Sequence, residues 1–177
     1  MKEKFLVFGS PLINIEEINE VIDCLKSGWL GTGPKVNQFE DQFKKYKETQ
    51  YSIAVNSCTA ALHLSLKSLD LNEGDEVITT PMTFCSTVNA IIHAGATPVL
   101  ADIDLKTMNI DPSQIEEKIN SKTRCILPVH FAGRPCNMEK IMAISRGNNL
   151  FVIEDCAHAI ETKYKDENAG TFGDFGC

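Results

Sequence analysis

The segment Phe151-Val-Ile-Glu-Asp-Cys-Ala-His158 runs an apolar strand into two adjacent carboxylates. Asp155 falls just past the apolar run, where a ligand would meet it. A carboxylate there can hold a pyridine-type nitrogen protonated, because the positive charge and the hydrogen bond stabilise each other away from water. The same acid would also suit a metal ion or a plain helix cap. A metal site drawn from Asp155, His158 and His130 has none of the usual ligand spacings. Two further segments carry chemistry. Asn56-Ser-Cys-Thr-Ala-Ala61 leaves a strand and opens a helix, so its free amides and helix dipole favour a phosphate, with the Thr59 hydroxyl beside small Ala60. An ordinary Ser or Thr cap reads the same way. Thr80-Pro-Met-Thr-Phe-Cys-Ser-Thr-Val-Asn89 sets Phe84 just after a strand end. An aromatic there can stack on a flat heteroaromatic ring or fill the core.

These segments need elements to hold them. β-type runs at 52–56, 76–80, 97–101, 124–130 and 150–155 alternate with helical stretches at about 59–69, 85–94, 112–120 and 138–146. Asp111 with Pro112 opens the third of these helices, and Asn137 caps the fourth. Such alternation predicts βαβ units and a mostly parallel sheet covered on both faces, a three-layer α/β/α fold. Ligands in such sheets bind beyond the carboxyl ends of the strands. The ends here are 56–59, 81–84, 102–104, 130–133 and 155–158, where the polar candidates collect. Ahead of the alternation, Asn14 and Glu17 start a helix with Ile15, Ile18, Ile22 and Leu25 on one face. Gly28-Trp-Leu-Gly-Thr-Gly-Pro34 breaks it, and a second helix follows with Val36, Phe39, Phe43 and Tyr46 at helical spacing. Gly31-Thr-Gly33 is not a dinucleotide fingerprint, since it lacks the third glycine and follows a helix.

A length of 177 residues suits one domain with a proper core. A net charge of −7 argues against a nucleic-acid or anionic-membrane surface. The apolar patch Phe5-Leu-Val-Phe8 is broken by Gly9, Ser10 and Pro11, which argues against a secretion signal, and no stretch is long enough to span a membrane. The seven cysteines form neither a C-x-x-C pair nor a zinc-like spacing, and read as reduced structural thiols of a cytoplasmic protein. His63 and His93 fall within helices, in structural or solvent-facing positions.

Taken together, Gly28–Pro34, Asn56–Leu62, Gly74–Ile78, Pro81–Asn89, Gly95–Pro98, Pro128–Gly133 and Glu154–Ala159 resemble, in order, the motifs of the DegT/DnrJ/StrS family of nucleotide-sugar aminotransferases, which depend on pyridoxal 5'-phosphate (PLP). The resemblance implies a large domain of fold type I, like that of aspartate aminotransferase, here incomplete. It implies that Thr59 and Ala60 hold the cofactor phosphate, with Cys58 in the same cofactor-binding segment where the family often has Gly or Ala, and that Phe84 and Ala157 cover the two ring faces. Asp155 would pair with the pyridinium nitrogen, and His158, where many members carry Gln, would lie near the phenolic oxygen. Trp29 and Thr32 would help form the substrate mouth in a homodimer.

The implied reaction takes an amino group from L-glutamate and delivers it to a keto sugar on a nucleoside diphosphate, for surface polysaccharide or lipopolysaccharide. The His158 variant and the Trp29 loop look like aminotransferases acting on UDP-4-keto sugars. The family's Schiff-base lysine is expected beyond Cys177. Lys163 and Lys165 precede the Gly173-Asp174 segment and do not match it. The expectation is therefore residues 1–50 as a helical segment and mouth loop, residues 51–177 as part of the cofactor domain, no small C-terminal domain, and no activity of the chain alone. A non-catalytic module of the same fold and a PLP-dependent sugar dehydratase remain alternatives.

Overall fold

Short apolar runs closed by glycine and punctuated by capped helices give a layered architecture in the computed structural model, which describes residues 9–177. The patch Phe5–Phe8, on which the argument against a secretion signal draws, lies outside the described residues. In chain order the elements are α1 (Ile15–Ser27), α2 (Pro34–Lys47), α3 (Cys58–Lys67), β1 (Glu76–Thr79), α4 (Cys85–Ala94), β2 (Thr97–Leu100), α5 (Pro112–Lys118), β3 (Thr123–Leu127), α6 (Met138–Asn148), β4 (Phe151–Glu154), β5 (Lys163–Tyr164), β6 (Glu167–Asn168) and β7 (Phe175–Gly176).

The main sheet has the order β2-β1-β3-β4-β7, with every pairing parallel. β5 and β6 form a separate antiparallel hairpin. Alternation along each strand feeds two cores. Val77, Cys125, Leu127 and Ile153 pack with Leu62 and Leu66 of α3 and Ala90 and Ile91 of α4. Ile78, Ile126 and Val152 pack with Ile115 of α5 and Met138 and Ile141 of α6. Helices on both faces of a parallel sheet are the three layers expected. Pro98 sits on the edge strand β2, where a missing N–H is tolerated.

The run 52–56 is not a strand. It has no sheet neighbour among the described residues, and its Ala54 N–H donates to the Glu40 carboxylate instead (2.8 Å). β propensity without a ladder does not make a strand. Both leading helices form where expected. α1 starts with Asn14 N–H on the Glu17 carboxylate (2.5 Å) and stops at Gly28, whose φ of 73° needs glycine. Its apolar face is left uncovered, with Ile15 61% and Leu25 61% exposed.

From β1 the chain runs to β2 on one side and then to β3 on the other, so the order reverses between β1 and β3. That is the crevice where doubly wound sheets take ligands. The loops above it are 80–84 after β1 and 128–130 after β3, with Asp155 beyond β4. No helix among the described residues is long and apolar enough to cross a membrane.

Candidate functional site

Asp155 leaves β4 still held like a strand residue. Its N–H donates to Pro128 O (2.9 Å), and its carbonyl accepts from His130 N–H (3.1 Å). The side chain is 4% exposed. Its Oδ2 accepts from the Thr87 hydroxyl (2.8 Å), and its Oδ1 from Ala157 N–H (3.2 Å) and the Cys58 thiol (3.7 Å). The structure thus brings Asp155, Cys58 and Ala157 together. Burial first, then the Asp155 charge, pushes the Cys58 thiol up to about 12, so it stays protonated and donates. An ionised carboxylate offers about four acceptor positions. Three are taken from within the chain, which leaves room for one more donor.

α3 opens beside it. Ser57 is the N-cap, and its hydroxyl accepts from Ala60 N–H. The cap is therefore Ser57 and not Thr59. The amides of Cys58 and Thr59 and the Thr59 hydroxyl have no hydrogen-bond partner among the described residues. Free amides on a helix N-terminus next to a buried carboxylate suit a ligand with an anionic end and a protonated ring. Phe84 stands at the N-cap of α4 and is 77% exposed, which removes the reading of a core phenylalanine. Ala157 and His158 are exposed beyond Asp155 and line an open recess with Ile160, Glu161 and Thr162.

Trp29 and Thr32 are held by each other, the indole N–H donating to Thr32 O (2.9 Å). No hydrogen bond among the described residues joins their loop to the Asp155 cluster. Lys163 and Lys165 lie exposed on the β5–β6 hairpin. The rings of His63 and His93 meet edge to face at 6.3 Å, between α3 and α4.

Four important residues carried no role in the sequence reading. Thr87, in the first turn of α4, and Thr83, just before its N-cap Phe84, are joined by a 2.6 Å hydroxyl contact. Glu154 is fully buried and points away from Asp155, as neighbours on a strand do. Its Oε1 accepts from Phe172 and Gly173 N–H, and its Oε2 from Gly170 N–H and His130 Nε2 (2.8–2.9 Å). His130 Nδ1 accepts from Cys136 N–H (3.0 Å), so Nε2 carries the proton. Burial raises the Glu154 carboxyl, but His130 and the Gly173 and Gly170 amides outweigh that and hold it below its ordinary value. His130, Glu154 and Cys156 have ligand-type atoms within 4.8 Å of one another. Every Glu154 lone pair is already taken, so the cluster is a strut and not a metal centre.

Lys47, 5% exposed, donates from Nζ to Ile160 O (2.7 Å) and Ala169 O (2.8 Å). It ties both legs of the excursion 157–170 to α2, and burial pulls its ammonium below the ordinary value. Lys47→Met should leave two carbonyls unpaired and cost about 1–3 kcal/mol. Hydrogen exchange at Ala169 and Gly170 should speed up, whereas unchanged protection there would show that the lysine holds nothing.

A family model described as the DegT/DnrJ/EryC1/StrS aminotransferase family matches residues 11–177. The chain is 51% identical over 173 residues to the spore coat polysaccharide biosynthesis protein SpsC of Bacillus subtilis, covering 98% of this chain and 44% of that protein. It is 43% identical over 172 residues to GDP-perosamine synthase of Escherichia coli O157:H7, covering 97% and 47%. Spr1654 from Streptococcus pneumoniae, solved in a PLP form, superposes with a TM-score of 0.91 at 35% identity, covering 97% of this chain and 47% of that one. The chain therefore spans just under half the length of the relatives it matches.

Proposed function

The chain belongs to the DegT/DnrJ/EryC1/StrS aminotransferase family, and from that premise we propose that it serves the transfer of an amino group from L-glutamate to a keto sugar carried on a nucleoside diphosphate. Its cofactor is PLP, the group in whose presence Spr1654 has been solved. The product would enter surface polysaccharide, in keeping with the name of the spore coat polysaccharide protein SpsC. Residues 1–50 would supply the helical segment and substrate mouth, with Trp29 and Thr32 facing a second copy in a homodimer. Residues 51–177 would form the cofactor domain.

The observation that carries this reading is the carboxylate of Asp155. It is buried at the crevice of a parallel sheet, with one acceptor position left, between free helix amides and an exposed aromatic. When bound, PLP supplies an electron sink that stabilises negative charge at the substrate carbon. Asp155 would hold a proton at the ring nitrogen. The Cys58 and Thr59 amides and the Thr59 hydroxyl would take the phosphate beside Ala60, and small Ala60 would leave it room. Phe84 and Ala157 would shield the ring faces from water, and His158 would face the phenolic oxygen.

Lys47 has its ammonium committed to two carbonyls. The 177 residues alone are expected to take up PLP reversibly and to turn nothing over. Absorbance titration with PLP tests the reading. Wild type should saturate, and Phe84→Ala should weaken binding roughly tenfold through lost stacking while leaving thermal stability within about 0.5 kcal/mol. A chain that binds no PLP would overturn the assignment. Sustained turnover with L-glutamate, or one borohydride-trapped buried lysine, would overturn the claim of inactivity.

A further inference from the structure

Asp155 does not stand alone in the crevice. The fully buried Thr87 hydroxyl reaches its Oδ2 at 2.8 Å, and Thr83 reaches Thr87 at 2.6 Å. The direction of these bonds follows from counting protons. A hydroxyl has one hydrogen to give, and an ionised carboxylate can only accept. Thr87 therefore donates to Asp155, and Thr83 must donate to Thr87. The other two contacts, Ala157 N–H and the Cys58 thiol, are donors as well and both act on Oδ1. Oδ2 thus has one protein donor, at the end of a two-hydroxyl chain that reinforces it.

We propose that Thr87, backed by Thr83, is a positioning residue that locks the Asp155 carboxylate in the orientation in which it meets a protonated ring nitrogen. This rests on the reading of Asp155 as partner of the cofactor ring. The placement of the relay supports it. Thr83 directly precedes Phe84, the N-cap of α4, and Thr87 lies in the first turn of that helix, so one short stretch after β1 carries both the aromatic for the ring face and the hydroxyls for the carboxylate. Shifting that stretch would move both together.

Thr87→Val keeps the shape and removes the hydroxyl, and Thr87→Ser keeps the hydroxyl. Two readings separate the relay from the function on which it rests. Without cofactor, a crystal structure of Thr87→Val should show the Asp155 side chain rotated away from its wild-type position, and Thr87→Ser should keep it. With PLP labelled at the ring nitrogen, the ¹⁵N shift should move towards the unprotonated value in Thr87→Val, with affinity down roughly tenfold as for one lost hydrogen bond to a charged group. Thr87→Ser should restore both. An unmoved Asp155 in Thr87→Val would overturn the proposal, as would an unchanged nitrogen shift. If Thr87→Val does not fold, Thr83→Val is read in the same way and should give smaller changes in the same direction. A wild-type chain that takes up no PLP would count against the function, while the cofactor-free structures still decide the relay.

Discussion

Asp155→Asn is expected to lower the affinity of the chain for PLP by about tenfold to a hundredfold, with the fold intact. The substitution is isosteric, and the amide oxygen can keep the bonds from Ala157 N–H and Cys58. What is lost is the charge at the position that would face the ring nitrogen. A hydrogen bond to a charged group contributes about 1.5–3 kcal/mol, which sets the size of the loss. Thr87 can rotate to accept from the new amide group, so unfolding should barely change. Equilibrium dialysis gives the affinity and urea unfolding gives the stability. Equal affinity for the two proteins would remove Asp155 from the cofactor site.

Glu154→Gln is expected to do the opposite, destabilising the chain by about 2–5 kcal/mol. Four donors converge on that carboxylate: the N–H groups of Gly170, Phe172 and Gly173, and His130 Nε2. A glutamine must turn its own NH2 towards one pair of them, and neither orientation is acceptable. His130 cannot help by moving its proton, because Nδ1 already accepts from Cys136 N–H. The midpoint of urea unfolding should fall with an unchanged slope.

The pH dependence has a definite sign. The Glu154 carboxyl is held below its ordinary value of 4.5 in the fold, so as pH falls the unfolded chain takes up the proton first. The stabilisation is fully present above about 4.5 and is lost as pH drops through the lower folded value. The gap between wild type and Glu154→Gln should therefore hold from pH 7 to about 5 and close below it.

The sequence made the ends of the elements readable where local chemistry sets them. α4 occupies the expected 85–94 because Gly95 closes it with a φ of 96°. The position of Asp155 was readable too, since an apolar run must end where the sheet does. Other features depend on partners far along the chain. The run 52–56 has strand-forming residues, but a strand exists only when a neighbour supplies its ladder. Lys47 reads as one of several lysines closing α2, yet its partners are the carbonyls of Ile160 and Ala169, more than a hundred residues away. Glu154 was overshadowed by Asp155, because its role lies in backbone amides that carry no residue-specific signal. Those hidden residues brace the site; the legible ones are the residues proposed to face the ligand.

The most direct test is a crystal structure of the chain with PLP. The ring nitrogen should lie about 2.7–3.2 Å from a carboxylate oxygen of Asp155, with the phosphate on the amides of Cys58 and Thr59 and Phe84 against the ring. A cofactor seated elsewhere, or a ring nitrogen facing water with Asp155 still bound only to Thr87, Ala157 and Cys58, would contradict the account.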